Sequence, residues 1–172
     1  MSVSFYDLTV GSYVQIIEAL VGILGKGADH CKTEGIALDD IVATRLYPDM
    51  ANFHFQVTSV THHSLGALQG LKSGEFRPPN YEACDYAVLQ TMTEATLDAL
   101  KAQNRDEIDA LADGQLVFKL GGNEIPFTAK NFALSFSLPN FYFHATTAYD
   151  VLRMKGVPLG KRDFLGAMKA GV

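Results

Sequence analysis

Residues 8–33 read LTVGSYVQIIEALVGILGKGADHCKT, and this stretch decides the fold. Apolar residues recur in it at alternating steps of four and three, namely at Val10, Val14, Ile17, Val21, Leu24, Ala28 and Cys31. That spacing traces one stripe of a long α-helix. A second row lies about 100° around the same helix and consists of Ile16, Leu20, Ile23, Gly27 and His30. The apolar face is therefore wide enough to touch two neighbouring helices.

Three more long helices are predicted downstream. The second begins at an N-cap on Asp49 and ends near Gly74, with an apolar stripe between them. The third covers about twenty residues around 88–100. The fourth spans residues 129–155, and we expect a kink at Pro139 because proline has no backbone N–H to donate.

The connections between these helices are short. Residues 38–46 suggest a short connecting helix, and residues 115–127 alternate in character across Gly121-Gly122, which is a hairpin signal. Four long helices with one hairpin favour a helical bundle. We therefore predict a mainly α fold, a four-helix bundle with a short β-hairpin before the last helix, in one domain over residues 1–172.

Composition limits the classes of function. The chain has 172 residues, 48% of them hydrophobic and 19% charged, which is typical of a globular protein. Its net charge of -5 argues against nucleic acid as a partner. Residues 1–7 lack the basic start of a signal peptide, and Glu18 and Lys26 interrupt the longest apolar stretch. We expect a soluble, cytoplasmic protein with no membrane partner, whose Cys31 and Cys84 stay as thiols.

Four segments carry a resemblance to a known family. They are residues 138–153 (LPNFYFHATTAYDVLR), 156–166 (GVPLGKRDFLG), 43–50 (ATRLYPDM) and 120–128 (LGGNEIPFT). Together they resemble the domain of unknown function family numbered nineteen-ninety-three, which is grouped with the DinB/YfiT-like metalloenzymes. The resemblance covers essentially the whole chain and implies a DinB-like four-helix bundle. It brings no established activity with it.

The resemblance also implies a place for a metal. DinB-like relatives with a metal use three histidines, one on helix two and a pair four residues apart on helix four. Laid over that pattern, His144 takes the second position of the pair and Asn140 takes the first. An amide is a poor ligand for zinc or nickel beside imidazole, so we expect a degenerate site. The remaining candidate ligands are His54, His63 and His30.

A pocket is predicted around the polar residues of helix four. His144 shares a helix face with Asn140 and Thr147, in a helix that is apolar on most sides. A core histidine bonded to a neighbouring helix is the ordinary alternative for His144. Glu18 is a further pocket candidate, because it lies in the most apolar helix, although its angle between the two stripes also permits exposure.

The other histidines have ordinary interpretations beside the functional ones. His54 and His63 flank the helix-two stripe, about 85° and 95° from its centre, where a boundary histidine usually reaches water. His62 lies about 165° from that centre, and we predict that it is solvated. His30 continues the second row of helix one, which also fits simple packing.

Three functions remain open from the sequence. The first is a small-molecule pocket protein with a degenerate metal site. The second is a metal-dependent DinB-like enzyme of hydrolase or transferase type that uses His144 with zinc or nickel. The third is a structural homodimer, which the wide apolar face of helix one favours. No spacing identifies a reaction or a substrate, so the sequence does not decide whether the protein is an enzyme.

Overall fold

The computed structural model describes residues 3–79 and 81–168. Its first long helix is α2 (Val10–Glu34), preceded by the short α1 (Phe5–Leu8). Gly35 ends α2 in the left-handed conformation, with φ of 68°, which is usual for a glycine after the last turn of a helix. A short helix, α3 (Leu38–Ala43), follows and is shorter than the sequence predicted. The first helix is thus confirmed nearly residue for residue.

The second long helix has three parts. It consists of α4 (Phe53–Thr61), a π-helical turn (His62–Gly66) and α5 (Ala67–Ser73). Its N-cap is Asn52, whose side-chain oxygen accepts the backbone N–H of Phe55 at 3.1 Å, so the prediction of Asp49 as the cap is wrong. The reason is local: the backbone pairs Arg45 with Asn52, which holds Asp49 in the connecting loop.

The fourth long helix is built in the same way. It consists of α8 (Ala129–Phe132), a π-helical turn (Ala133–Ser137) and α9 (Leu138–Met154). Thr128 caps it by accepting the N–H of Asn131 at 3.2 Å, so the helix begins where the sequence predicted. The predicted irregularity at Pro139 takes the form of the π-helical turn just before it. A wider turn accommodates the missing N–H of proline without breaking the helix.

The third long helix is α6 (Tyr86–Lys101), and two short helices after it were not predicted. They are α7 (Arg105–Ala110) and α10 (Lys161–Leu165). The second of them lies against α2, where Gln15 donates to the backbone carbonyl of Leu165 at 2.8 Å. An ion pair of 2.6 Å between Lys26 and Asp163 adds a second link.

A small sheet packs beside the bundle. The predicted hairpin is confirmed as β2 (Gln115–Leu120) and β3 (Asn123–Thr128), which pair antiparallel with Val117 opposite Pro126. Gly121 and Gly122 turn the chain with φ of 56° and 84°, which a two-residue hairpin turn of this hand requires. A third strand, β1 (Glu75–Phe76), pairs parallel with β2 and was not predicted.

The wide apolar face of α2 is covered within the chain. Tyr13, Ile17, Leu20 and Leu24 are all buried in one core cluster with residues of the other long helices. Residues Phe5–Glu34 would suit a membrane span by length and composition alone, but half of the apolar 18-residue stretch within them is buried in the bundle. The predicted mainly α bundle with a hairpin before the last helix is confirmed. The apolar face that suggested a homodimer is not bare, and the homodimer itself stays a prediction.

Candidate functional site

Two histidines from different helices meet inside the bundle. The rings of His63, from the π-helical turn of helix two, and His144, from α9, lie nearly parallel with centroids 5.8 Å apart. The ring of Phe136 contacts His63 as well, at 5.5 Å. Phe136 and His144 lie one helical turn on either side of Asn140, so Asn140 is on the same side of helix four as the two residues that contact His63. The helix-two and helix-four positions of the resemblance are therefore brought together.

A buried glutamine fixes the tautomer of His144. The backbone carbonyl of Ala51 can only accept a hydrogen bond. The Gln56 atom 2.9 Å from it is therefore the side-chain nitrogen, which donates. The side-chain oxygen of Gln56 therefore faces Nδ1 of His144, at 2.8 Å. Nδ1 must carry the hydrogen, and Nε2 of His144 keeps its lone pair. We call His63, His144, Asn140 and Gln56 the histidine cluster.

The side chain of His63 has no hydrogen bond in the part of the chain that the structure describes. Its side chain is only 8% exposed, and its Nδ1 is sealed from water without a partner. Whichever nitrogen carries the hydrogen, His63 presents one donor and one acceptor that no described protein group satisfies. Buried polar atoms are nearly always paired, so this atom marks His63 as unusual.

Both histidines of the pair stay neutral at physiological pH. Burial, together with charge repulsion from the neighbouring His62 and His144, lowers the pKa of His63 to about 3. Burial alone lowers the pKa of His144 to about 4. The sequence predicted that His54 and His63 reach water, and this is wrong, because helix two lies between α6 and α9 and both of its flanks are covered.

A hydrogen-bond chain holds the two π-helical turns together. The hydroxyl of Ser137 donates to the backbone carbonyl of His63 at 2.6 Å, and the hydroxyl of Tyr13 donates to Ser137 at 2.6 Å. All three groups are buried. The backbone of His63 is thereby fixed against helix four and helix one. Burial raises the pKa of Tyr13, so its hydroxyl keeps its proton and stays a donor.

The sequence predicted that His62 is solvated, and this is wrong. Its ring stacks on Phe76 at 4.5 Å, and its Nε2 donates to the backbone carbonyl of Arg77 at 2.8 Å. Burial lowers its pKa. The outer face of helix two is covered here by β1, which the sequence did not predict, and this explains the error. Gly66 leaves room for the ring, since a Cβ there would lie 2.8 Å from Nδ1 of His62.

The remaining candidates lie away from the cluster. Glu18 is on the surface and forms an ion pair with Lys101 at 2.7 Å, so the inward position considered for it is wrong. His30 lies beside Gly156, just past the end of α9, roughly 15 Å along the helix from His144. His54 is buried in the first turn of α4, and among the described residues its ring meets no other aromatic ring.

Thr147 is buried on α9, and its hydroxyl is already engaged. Its hydroxyl donates to the backbone carbonyl of Phe143 at 2.8 Å. Asn140 likewise uses its amide nitrogen on the carbonyl of Phe136, at 2.7 Å. The side-chain oxygen of Asn140 therefore remains as the acceptor that this side chain offers to the cluster.

The potential metal ligands in the histidine cluster do not fit a zinc or nickel centre of the DinB type. Such a centre needs at least three protein ligands, and only two imidazoles converge here. Within residues 3–79 and 81–168, no three histidine, cysteine, aspartate or glutamate side chains are placed to share one ion. Asn140, at the third position, is an amide bonded to its own helix. The unpaired His63 is therefore not explained by a metal site.

Sequence reasoning missed Gln56, Ser137 and Tyr13. Gln56 follows Phe53 by three residues, so its position on the buried face of helix two was a signal, since a buried amide needs partners. Ser137 and Tyr13 carried no such signal. Their role depends on the π-helical turns, and no pattern of apolar residues predicts those turns.

Comparisons with known proteins agree with this architecture. A family model described as "Domain of unknown function (DUF1993)" matches residues 5–165. Among solved structures, a DinB family member protein from Shewanella denitrificans is similar, with a TM-score of 0.81 and 26% sequence identity. The match covers 97% of this chain and 94% of that chain. No curated protein matches the chain.

Proposed function

The chain belongs to the family described as domain of unknown function DUF1993 and has a DinB-like fold, and for this member we propose that the histidine cluster binds a small uncharged molecule without a metal. The observation that carries the proposal is the unpaired His63 beside the free Nε2 of His144. A ligand that pairs with these atoms would remove the cost of leaving them without hydrogen bonds.

The chemistry of the cluster selects the ligand class. It offers acceptors on His144 and Asn140, and one donor and one acceptor on His63. Neutral imidazoles give no charge to hold an anion, and the cluster holds no carboxylate to hold a cation. The ligand therefore carries both a hydrogen-bond donor and an acceptor, as an amide or an alcohol does.

Aromatic rings surround these polar atoms. Phe55 contacts His144 with ring centroids 5.7 Å apart, and the more exposed Phe143 contacts it at 5.2 Å. The ring of Tyr81 stacks on that of Phe55 with centroids 4.2 Å apart, and its hydroxyl is hydrogen-bonded to the hydroxyl of Ser59 at 2.9 Å. Apolar walls with a few polar groups are the usual composition of a small-molecule site. The ligand class we propose is therefore an aromatic amide, with its ring against the aromatic side chains and its amide at the polar atoms.

Binding is better supported than acid–base catalysis. A general base works best when its pKa is near the pH of operation. With pKa values of about 3 and about 4, His63 and His144 are weak bases at pH 7. They accept hydrogen bonds but take up a proton poorly, so the free cluster is suited to recognition.

A matched pair of probes tests the proposal. Benzamide carries a donor and an acceptor, and acetophenone has nearly the same shape but no donor. We expect benzamide to shift the imidazole nitrogen resonances of His63 and His144, and acetophenone to bind at least about tenfold more weakly. His144→Phe should lose this preference, and the control His30→Gln should keep it. Equal binding of the two probes, or no shift with either, would contradict the proposal.

The second candidate function is a metal-dependent DinB-like enzyme that uses His144. It is favoured by the convergence of His144, which matches one implied metal ligand, with His63, one of the candidate ligands on helix two. It needs a third ligand that Asn140 does not supply. A metal content near one zinc or nickel ion per chain would favour this candidate over the first.

A further inference from the structure

A groove on the outer side of α9 lies next to the histidine cluster and shares the ring of Phe143 with it. It has a volume of about 510 Å³ and lies between α9 and the loop that carries Leu46 and Met50. Its walls include the rings of Tyr142 and Phe143, which are 39% and 56% exposed. A volume of this order accommodates a small molecule. Large aromatic side chains left open on one face suggest that something apolar covers them.

One carboxylate lies at the far end of this groove. Asp150 follows Phe143 by two helical turns, roughly 10 Å along α9. It takes part in none of the ion pairs between described residues. The basic residue next to it on the helix, Arg153, donates to the backbone carbonyl of Val157 at 2.8 Å. The groove thus has an apolar end and an anionic end.

The loop wall of the groove is held in place by its own hydrogen bonds. The N–H of Phe53 donates to the carbonyl of Thr44 at 2.8 Å, and the N–H of Met50 donates to that of Tyr47 at 3.0 Å. The guanidinium of Arg45 also bonds the carbonyl of Met50. These bonds tie the two ends of the loop together, so the groove exists before any ligand binds.

We propose that this groove binds an organic ammonium ion with an apolar tail. The ammonium group pairs with Asp150, and the tail lies along Pro139, Tyr142 and Phe143. The net charge of -5 also draws cations to the protein. A second copy of the chain is the alternative occupant, and sedimentation velocity would detect it.

The test compares three ligands with the same six-carbon tail. They are hexyltrimethylammonium, 1-hexanol and hexyl sulfate, titrated into the full-length protein and followed by the resonances of Phe143 and Tyr142. We expect the cation to bind at least about fivefold more tightly than the alcohol, and the sulfate to bind most weakly. Asp150→Asn should remove the difference between cation and alcohol. The control Asp98→Asn, an exposed carboxylate on α6, should keep it.

Two results would overturn the proposal. One is equal affinity for hexyltrimethylammonium and 1-hexanol in the unmodified protein. The other is self-association in sedimentation velocity that Phe143→Glu abolishes, together with no ligand binding, which would assign the groove to a second copy. Circular dichroism of Asp150→Asn and Asp98→Asn establishes that both remain folded, and a loss of preference in both variants also counts against Asp150 as the ammonium partner.

Discussion

The buried histidine pair makes stability depend on pH between 7 and 5. In the unfolded chain each imidazole takes up a proton near pH 6.5, whereas the folded values are about 3 for His63 and about 4 for His144. Below pH 6.5 the unfolded state therefore binds more protons, and the folded state loses stability as the pH falls. The contribution is fully present above pH 6.5 and is lost progressively down to the folded values.

The size of the effect follows from the linkage relation. Each histidine lowers the free energy of unfolding by about 1.4 kcal/mol per pH unit below 6.5, which gives about 4 kcal/mol for the pair between pH 7 and pH 5. The ring of His144 is partly exposed, so solvent screening reduces the expected fall to about 3 kcal/mol. His62, whose pKa is also lowered, acts in the same direction. Carboxylates with lowered pKa values, such as Asp163, act only at lower pH.

Urea unfolding at half-unit steps from pH 7.5 to pH 5 measures this slope. His63→Gln and His144→Gln should each remove about half of the histidine contribution, because glutamine does not titrate. Both variants also lose packing, so the comparison is between slopes and not between absolute stabilities. A slope below about 1 kcal/mol per pH unit, or unchanged slopes in both variants, would refute the burial of two neutral imidazoles.

Three substitutions test the geometry of the cluster. Asn140→His places a third imidazole on the same side of helix four as His144 and should raise zinc or nickel affinity over the parent in calorimetric titration; a folded variant with parental affinity would show that no three ligands converge. Gln56→Leu leaves the buried Nδ1–H of His144 without an acceptor, and we expect a loss of about 1–3 kcal/mol in urea unfolding and a change of tautomer in nitrogen spectra. A full-strength Nδ1–H signal at the parental position would contradict that assignment. Ser137→Ala leaves the His63 carbonyl and the Tyr13 hydroxyl unpaired, and should cost about 2 kcal/mol; a loss under about 0.5 kcal/mol would mean that the chain of hydrogen bonds matters little.

Regular periodicity predicted the long elements and failed where the backbone departs from it. The stripe in α2 repeats without interruption, so its bounds followed from residues 8–33 directly. The hairpin followed from Gly121 and Gly122, whose conformation a tight turn demands. The cap at Asn52 was missed because Asp49 is an equally good capping residue, and only the pairing of the loop ends decides between them.

The candidate site was predictable in part. His144 and Asn140 were identified by the resemblance, and their shared helix face is confirmed. The burial of His63 was not predictable, because it depends on two helices that pack against both flanks of helix two. The hydrogen bond between Gln56 and His144 joins residues that are 88 positions apart in the sequence, and local spacing does not encode such a contact.

The metal content of the protein tests the central claim most directly. The chain is produced without a polyhistidine tag in medium supplemented with zinc and nickel, purified without chelators, and measured by elemental analysis. Two imidazoles and an amide should retain less than about a tenth of an ion per chain. A content near one ion per chain that falls in both His63→Gln and His144→Gln would contradict a metal-free site and would identify the cluster as a metal centre.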